Sequence, residues 1–258
     1  MSVSRDAAAT CRDPPSAVDP RAAAIEDRLA GVRRIVAVGG SKGGIGKSVV
    51  AAALSLAWAD GGRRVGLFDL DFTSPTGHVI LGAGTRFPSE EFGIDPHVVA
   101  GVAMMSVAFF SGEAPAPLRG GEATNALLEL LAITRWGNLD VLVVDLPPGL
   151  GDTTLDVVRF LPGTGFMLLG TASIVVLESV RRALRLLGEV GVPIVGVVEN
   201  MRRDGGDLVE GLARSAGVPF LGSVPYDAGL ESALGNPGRL RRTGFFDAVR
   251  RLAGRLDG

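Results

Sequence analysis

Seven short apolar runs recur along the chain, at 35–38, 65–69, 102–107, 141–145, 166–169, 194–198 and 220–224. They are nearly continuous in Val, Ile and Leu instead of alternating with polar residues, as strands covered on both faces require. Between them, 47–59, 122–134, 154–160, 173–189, 206–216 and 245–256 carry helical patterns. Alternation of this kind predicts an α/β fold: a doubly wound, mostly parallel sheet with helices on both faces and ligands at the C-terminal ends of the strands. No repeat or linker divides residues 31–258, which are expected to form one domain. Residues 1–30, rich in Ala, Pro, Arg and Asp, are expected to be a disordered tail, with a short helix at 22–29. Along 245–256, Phe245, Val249, Leu252 and Leu256 form one apolar stripe, with Arg250, Arg251 and Arg255 elsewhere on the helical wheel. Such a helix docks on a core or lies on a membrane surface.

Composition narrows the picture modestly. A chain of 258 residues that is 47% hydrophobic can bury one large core. A net charge of -2 gives no electrostatic reason to expect a nucleic-acid or bilayer partner. No apolar run reaches the roughly 18 residues needed to span a membrane. The single cysteine, Cys11, cannot form an internal disulfide, so a reducing, cytoplasmic setting is expected. His78 and His97 lack the spacing of metal ligands.

The chemistry gathers at strand ends. After the run at 35–38, the segment Ser41-Lys42-Gly43-Gly44-Ile45-Gly46-Lys47-Ser48 leads straight into a helix. Glycines let backbone N–H groups converge on phosphate oxygens, and a helix N-terminus adds roughly half a positive charge. Lys47 would reach the β- and γ-phosphates of a nucleotide, and the Ser48 hydroxyl would bind Mg²⁺. The pattern G-x-x-x-x-G-K-[ST] is met except at its first glycine, where Ser41 stands. Asp69-Leu70-Asp71 closes the second run, where a carboxylate can hold Mg²⁺ through water or orient an attacking water. The run at 141–145 ends in Asp145, the Walker B arrangement, and Pro147-Pro148-Gly149-Leu150-Gly151-Asp152 follows where a γ-phosphate sensor would lie. Together these predict ATP or ADP with Mg²⁺ as ligands, and ATP hydrolysis as the reaction.

With Lys42 included, the loop resembles the deviant phosphate loop of the MinD/ParA/nitrogenase-iron-protein class. Within that class the chain is most similar to the Mrp-type nucleotide-binding iron–sulfur carriers. The similarity runs through Phe68-Asp69-Leu70-Asp71, Arg119-Gly120-Gly121, Leu146-Pro147-Pro148-Gly149, Val198-Glu199-Asn200-Met201 and Val218-Pro219-Phe220-Leu221-Gly222-Ser223-Val224-Pro225. The resemblance implies that Gly43, Gly44, Ile45, Gly46, Lys47, Ser48 and Val49 bind the phosphates. It implies that Lys42 acts on the phosphates of a partner copy in a homodimer, and that Asp71 assists hydrolysis. Ser48, Asp71 and Asp145 are then the magnesium residues, Asn200 reads the adenine, and Pro225 and Asp227, with Tyr226 between them, flank the base.

Two departures stand out. Val49 occupies a position where the family usually has Thr, removing a hydroxyl but not the backbone N–H. After Asn200-Met201 the carriers have a C-x-x-C pair, whereas this chain has Arg202-Arg203-Asp204-Gly205-Gly206-Asp207. Iron–sulfur clusters are commonly held by four thiolates, so a cluster of the chain's own is not expected. The resemblance therefore implies an ATPase of iron–sulfur or metallocentre assembly that acts on a client, its identity unspecified. The competing expectation is a positioning switch of the MinD/ParA kind that binds membrane or DNA reversibly.

Overall fold

The structure, a computed structural model, describes residues 20–111, 118, 120–203 and 205–257. Cys11, the 1–19 part of the expected tail, Arg119 and Asp204 lie outside these residues. Eight strands form one sheet: β1 (Ile35–Gly39), β2 (Val65–Asp69), β3 (His97–Val99), β4 (Val102–Ser106), β5 (Val141–Asp145), β6 (Gly165–Gly170), β7 (Ile194–Arg202) and β8 (Phe220–Pro225). Their order is β3-β4-β2-β5-β1-β6-β7-β8, parallel throughout except for β3, which runs antiparallel on β4 at the edge. The helices are α1 (Pro20–Leu29), α2 (Lys47–Asp60), α3 (Gly77–Leu81), α4 (Ala108–Ser111), α5 (Gly121–Ile133), α6 (Asp152–Phe160), α7 (Ile174–Val190), α8 (Leu208–Ser215), α9 (Pro237–Leu240) and α10 (Gly244–Asp257).

Strand order fixes where a ligand can sit. From β1 the chain moves two places toward β2, and after β5 it moves the other way, through β6, β7 and β8. Right-handed crossovers in opposite directions put helices on opposite faces of the sheet. The reversal lies beside β1, between β5 and β6, so a crevice opens at its C-terminal end. That is where the phosphate loop begins. All five residues of β2 and of β5 are buried, which explains their unbroken apolar runs.

All seven expected strands are present. Two differences have physical causes. β7 continues to Arg202 instead of stopping at 198, because its far end pairs with Pro225 of β8; Asn200 therefore sits inside a strand. β3 was not foreseen, because three residues at a sheet edge give no periodic signal.

The short helix expected at 22–29 is present and begins at Pro20. These residues form a helix docked on the domain: Ile25 is buried, and Arg28 donates from Nε to the Ala132 carbonyl at 3.2 Å and from Nη2 to the Phe92 carbonyl at 2.9 Å. The sequence pattern indicated the helix but not its docking on α5. The stripe of the last helix is inside the molecule. Phe245, Val249, Leu252 and Leu256 are buried, and α10 packs on α2 and β8. Among the described residues no helix is long and apolar enough to cross a membrane.

Candidate functional site

The phosphate loop spans the gap between β1 and α2 and owes its shape to two glycines. Gly44 and Gly46 have φ of 76° and 84°, a region that L side chains rarely adopt. At Gly46 a Cβ would also lie 2.4 Å from Asn200 Nδ2. Ser41 is not among the positive-φ residues, so its position has no conformational need for glycine. This is why the departure from the strict pattern leaves the loop intact. Behind the loop, residues 50–58 of α2 are all buried, which holds the helix axis against the sheet. The first N–H groups of α2 face the loop without helical partners.

Lys47 is buried, and its Nζ donates to the Lys42 carbonyl at 3.1 Å. Burial lowers its pKa, an effect opposed by the carboxylates of Asp145 and Asp71. Lys42 itself is exposed. Asp145 ends β5, and its Cα is in register with Asp69 on one side and Val38 on the other. It is 1% exposed, and neither carboxylate oxygen has a hydrogen-bond partner of good geometry. Burial and the neighbouring Asp69 push its pKa well up; the Ser48 hydroxyl and the Lys47 ammonium stand near enough to oppose that shift. A buried, unsatisfied carboxylate beside a hydroxyl and an amine suits an incoming cation. Ser48 and Asp145, with Asp71 nearby, therefore fit Mg²⁺, which takes only one or two carboxylates and completes its shell with water and phosphate oxygens. Among the described residues no group of three or more His, Cys, Asp and Glu is arranged to hold a metal. His78 and His97 pack instead against Phe109, with ring centroids 6.4 and 4.3 Å away.

The two aspartates after β2 behave differently. Asp69 is fully buried and accepts from the backbone N–H groups of Asp71 at 3.1 Å, Thr76 at 3.1 Å and Gly77 at 3.0 Å. Those bonds shape the turn into α3, yet burial still pushes its pKa up to about 6. Asp71 is half-buried, and its Oδ1 accepts from Thr73 N at 3.2 Å and Ser74 N at 3.0 Å. Its carboxylate is thus oriented, as an assistant to an attacking water must be. The role of Asp69 as the turn's anchor was not foreseen, because the spacing D-x-D does not tell which carboxylate is buried. The segment after β5 is tied to the loop by Gly149 N donating to the Gly40 carbonyl at 3.1 Å.

On the other side of Gly46 lies a cavity of about 210 Å³ lined by Val49, Asn200, Met201, Pro225, Tyr226 and Asp227, among others. Val49 contributes apolar wall here, which accounts for a side chain without a hydroxyl. Asn200 is buried and donates from Nδ2 to the Ile45 carbonyl at 2.8 Å. Because that carbonyl can only accept, the amide is oriented with its NH₂ toward the loop, leaving Oδ1 to meet a donor. Pro225 is exposed at the rim. Asp227 has a structural duty: Oδ1 accepts from Gly229 N at 2.9 Å, and Oδ2 accepts from Phe245 N at 3.2 Å at the start of α10. It also lines the cavity, so the same carboxylate that shapes the loop carrying Tyr226 stands where the contact with a base was expected.

A family model described as ParA, NUBPL iron-transfer P-loop NTPase, matches residues 31–238. The chain is 37% identical over 216 residues to the iron-sulfur cluster carrier protein of Aquifex aeolicus, covering 78% of this chain and 59% of that protein's length. It is 37% identical to the human cytosolic Fe-S cluster assembly factor NUBP2 over 238 residues, 83% of this chain and 86% of that one. Among solved structures, a nucleotide-binding protein from Archaeoglobus fulgidus in complex with ADP superposes with a TM-score of 0.71 at 28% identity, covering 86% of this chain and 93% of that chain.

Proposed function

The chain belongs to the ParA family of NUBPL-type iron-transfer P-loop NTPases, and from that premise we propose that it hydrolyses Mg-ATP as a homodimer serving iron–sulfur cluster or metallocentre assembly. The observation that carries this reading is the buried, unsatisfied Asp145, within electrostatic reach of the buried Lys47, at the C-terminal end of the central strands. Phosphates would accept from the N–H groups of residues 43–49, and Lys47 would exchange its bond to the Lys42 carbonyl for phosphate oxygens. Ser48 and Asp145, with Asp71 through water, would hold Mg²⁺, which when bound neutralises charge between the β- and γ-phosphates. Asp71, fixed by two backbone N–H groups, orients the attacking water. Asn200 Oδ1 accepts from the 6-amino group of adenine, a donor that guanine does not offer at that position.

Support for a second copy comes from the surface around the loop. Lys42 is exposed, and Leu155, Ile174 and Val175 are exposed apolar residues in the first turns of α6 and α7, which leave the C-terminal ends of β5 and β6. Lys42 of one copy would then supply positive charge to the phosphates held by the other. We read the product as a nucleotide-gated dimer that works on a cluster or metal held by a client protein in the cytoplasm. The membrane-switch reading loses its motivation, since the α10 stripe is occupied by the core.

The test is the dependence of hydrolysis on protein concentration. Wild-type turnover should rise faster than linearly, and Lys42→Ala should keep ATP binding while losing on the order of 10³–10⁵ in rate, as when a trans-acting cation is removed. A linear dependence at concentrations where gel filtration finds monomer would refute the dimer mechanism.

A further inference from the structure

At the foot of the sheet, by the N-terminal end of β5, lies a second cavity that the nucleotide chemistry does not use. Its volume is about 310 Å³, at the lower end of small-molecule sites, and it is lined by Asp27, Arg28, Asp95, Arg135, Trp136 and Asn138, among others. Asp27 and Arg28 come from α1, and residues 135–138 from the segment that leads into β5. The walls are held from within the fold. Gly31 lets the end of α1 approach so closely that a Cβ there would lie 2.4 Å from the Gly137 carbonyl oxygen. Arg28 is fixed by the Ala132 and Phe92 carbonyls, and Arg135 Nη1 donates to the Glu91 carbonyl at 2.6 Å. Carbonyls orient a guanidinium without neutralising it. Arg135 also meets Asp95, Nε to Oδ1, at 3.5 Å. Among the described residues Arg28 has no carboxylate partner, and the side chains of Asp27 and Asn138 have no hydrogen-bond partner. Trp136 is 4% exposed, and its indole N–H is buried without a partner, a state that costs free energy.

We propose that this cavity is a binding site for a free α-amino acid, held as its zwitterion. The lining carries both signs of charge in equal number, Asp27 and Asp95 against Arg28 and Arg135, so it favours neither a simple anion nor a simple cation. A carboxylate would accept from the guanidinium nitrogens that the fold leaves free, Nη1 of Arg28 and Nη2 of Arg135, in charge-assisted bonds. An ammonium would donate to the Asp27 carboxylate and to Asn138 Oδ1. The end of a peptide chain offers only one of these charges, since the peptide bond consumes the other. Because both arginines are already tied to carbonyls, little side-chain freedom is lost when the ligand enters. None of these residues belongs to the phosphate loop, so the site stands independently of the Mg-ATP reading.

The experiment uses the full chain labelled with ¹⁵N-tryptophan, and each of the common amino acids in turn. The chain has two tryptophans, and Trp58 is an internal control: its Nε1 donates to Asp257 Oδ1 at 3.0 Å, outside the cavity. At least one amino acid should move the Trp136 indole signal saturably and leave that of Trp58 in place. The N-acetyl and amide derivatives of that amino acid lack the ammonium and the carboxylate respectively. Each should bind at least about tenfold more weakly, the scale of one lost charge-assisted hydrogen bond. Arg28→Ala removes a carboxylate contact but also the ties of α1 to its neighbours. Asp27→Asn therefore carries the test, because the Asp27 side chain ties nothing among the described residues. Its melting midpoint should match the wild type while its affinity falls about tenfold. A Trp136 signal that no amino acid moves, derivatives that bind as well as the parent, or an unchanged affinity in Asp27→Asn would overturn the assignment.

Discussion

Strand β5 has an aspartate at each end, and the two live in opposite conditions. Asp140, just before the strand, accepts from Arg64 N at 2.9 Å, from Arg64 Nε at 3.3 Å and from Arg64 Nη2 at 3.0 Å, and it meets Arg33 Nη1 at 3.2 Å. The Arg64 side chain, then its backbone N–H, hold the Asp140 pKa down to about 2. Asp145, five residues on, is buried with neither oxygen properly bonded and its pKa pushed well up. One carboxylate is satisfied within the fold; the other is left for something the fold does not contain. Mutation should separate these roles, stability at the N-terminal edge of the sheet and chemistry at the C-terminal edge.

The largest effect is expected from Asp145→Asn. Turnover of Mg-ATP should fall at least about a hundredfold, the scale of removing one electrostatic group aimed at the reacting charge. The free protein should melt no lower than the wild type, because a buried carboxyl group without hydrogen-bond partners is replaced by a neutral amide of the same shape. A mutant that loses both activity and stability would show that Asp145 is a structural residue like Asp140.

Asp71→Asn comes next. It should slow turnover far more than it weakens nucleotide binding, since the oriented carboxylate acts on the water and not on the bound phosphates. Single-turnover rates set beside calorimetric Kd values would distinguish this from a binding defect.

Asp69 sharpens the contrast through pH. Its pKa is raised to about 6 from an ordinary 3.8, so the folded state binds the proton more tightly than the unfolded chain. The stabilisation is complete below about pH 4 and is lost as pH rises through 6. Between pH 5 and 7 the nucleotide-free wild type should therefore lose roughly 1 kcal/mol relative to Asp69→Asn. Urea midpoints at several pH values would measure it, and a pH-independent difference between the two proteins would count against a proton on Asp69.

Much of this was legible in the sequence, for reasons that differ by region. Strands buried on both faces left apolar runs, and the run of glycines before Lys47 announced the positive-φ loop. The resemblance to iron–sulfur carriers, read from Leu146–Gly149 and Val198–Met201 among other segments, agrees with the relatives found. Side-chain partnerships were not legible. Asp227 lines the cavity beside Gly46, and nothing in the sequence tells that its carboxylate also meets the start of α10, eighteen residues away. Likewise Asp69 and Asp71 are two residues apart with the same chemistry, and only packing tells the buried anchor from the half-exposed one. The helix at 20–29 was foreseen over 22–29, but its docking was hidden because the anchoring lies on α5 and the loop near Phe92, far along the chain.

Asp140→Asn should give the smallest effect and the opposite pH sign. A depressed pKa means that the unfolded chain holds the proton more tightly, so the stabilisation is present above about pH 4 and is lost as pH falls through 2. The group lies at the surface, where solvent and salt screen ion pairs, and the arginines around it remain hydrated when it is neutralised. The melting midpoint at pH 7 should therefore drop only slightly, with ATP hydrolysis unchanged, since Asp140 lies at the edge of the sheet away from the phosphate loop. The difference from wild type should stay flat from pH 5 to 7, the window in which the Asp69 difference changes, and should shrink only on further acidification or in high salt. A difference that varied between pH 5 and 7 would mean that the carboxylates at the two ends of the sheet are coupled through β5, and the division between a stabilising edge and a reactive edge would have to be abandoned.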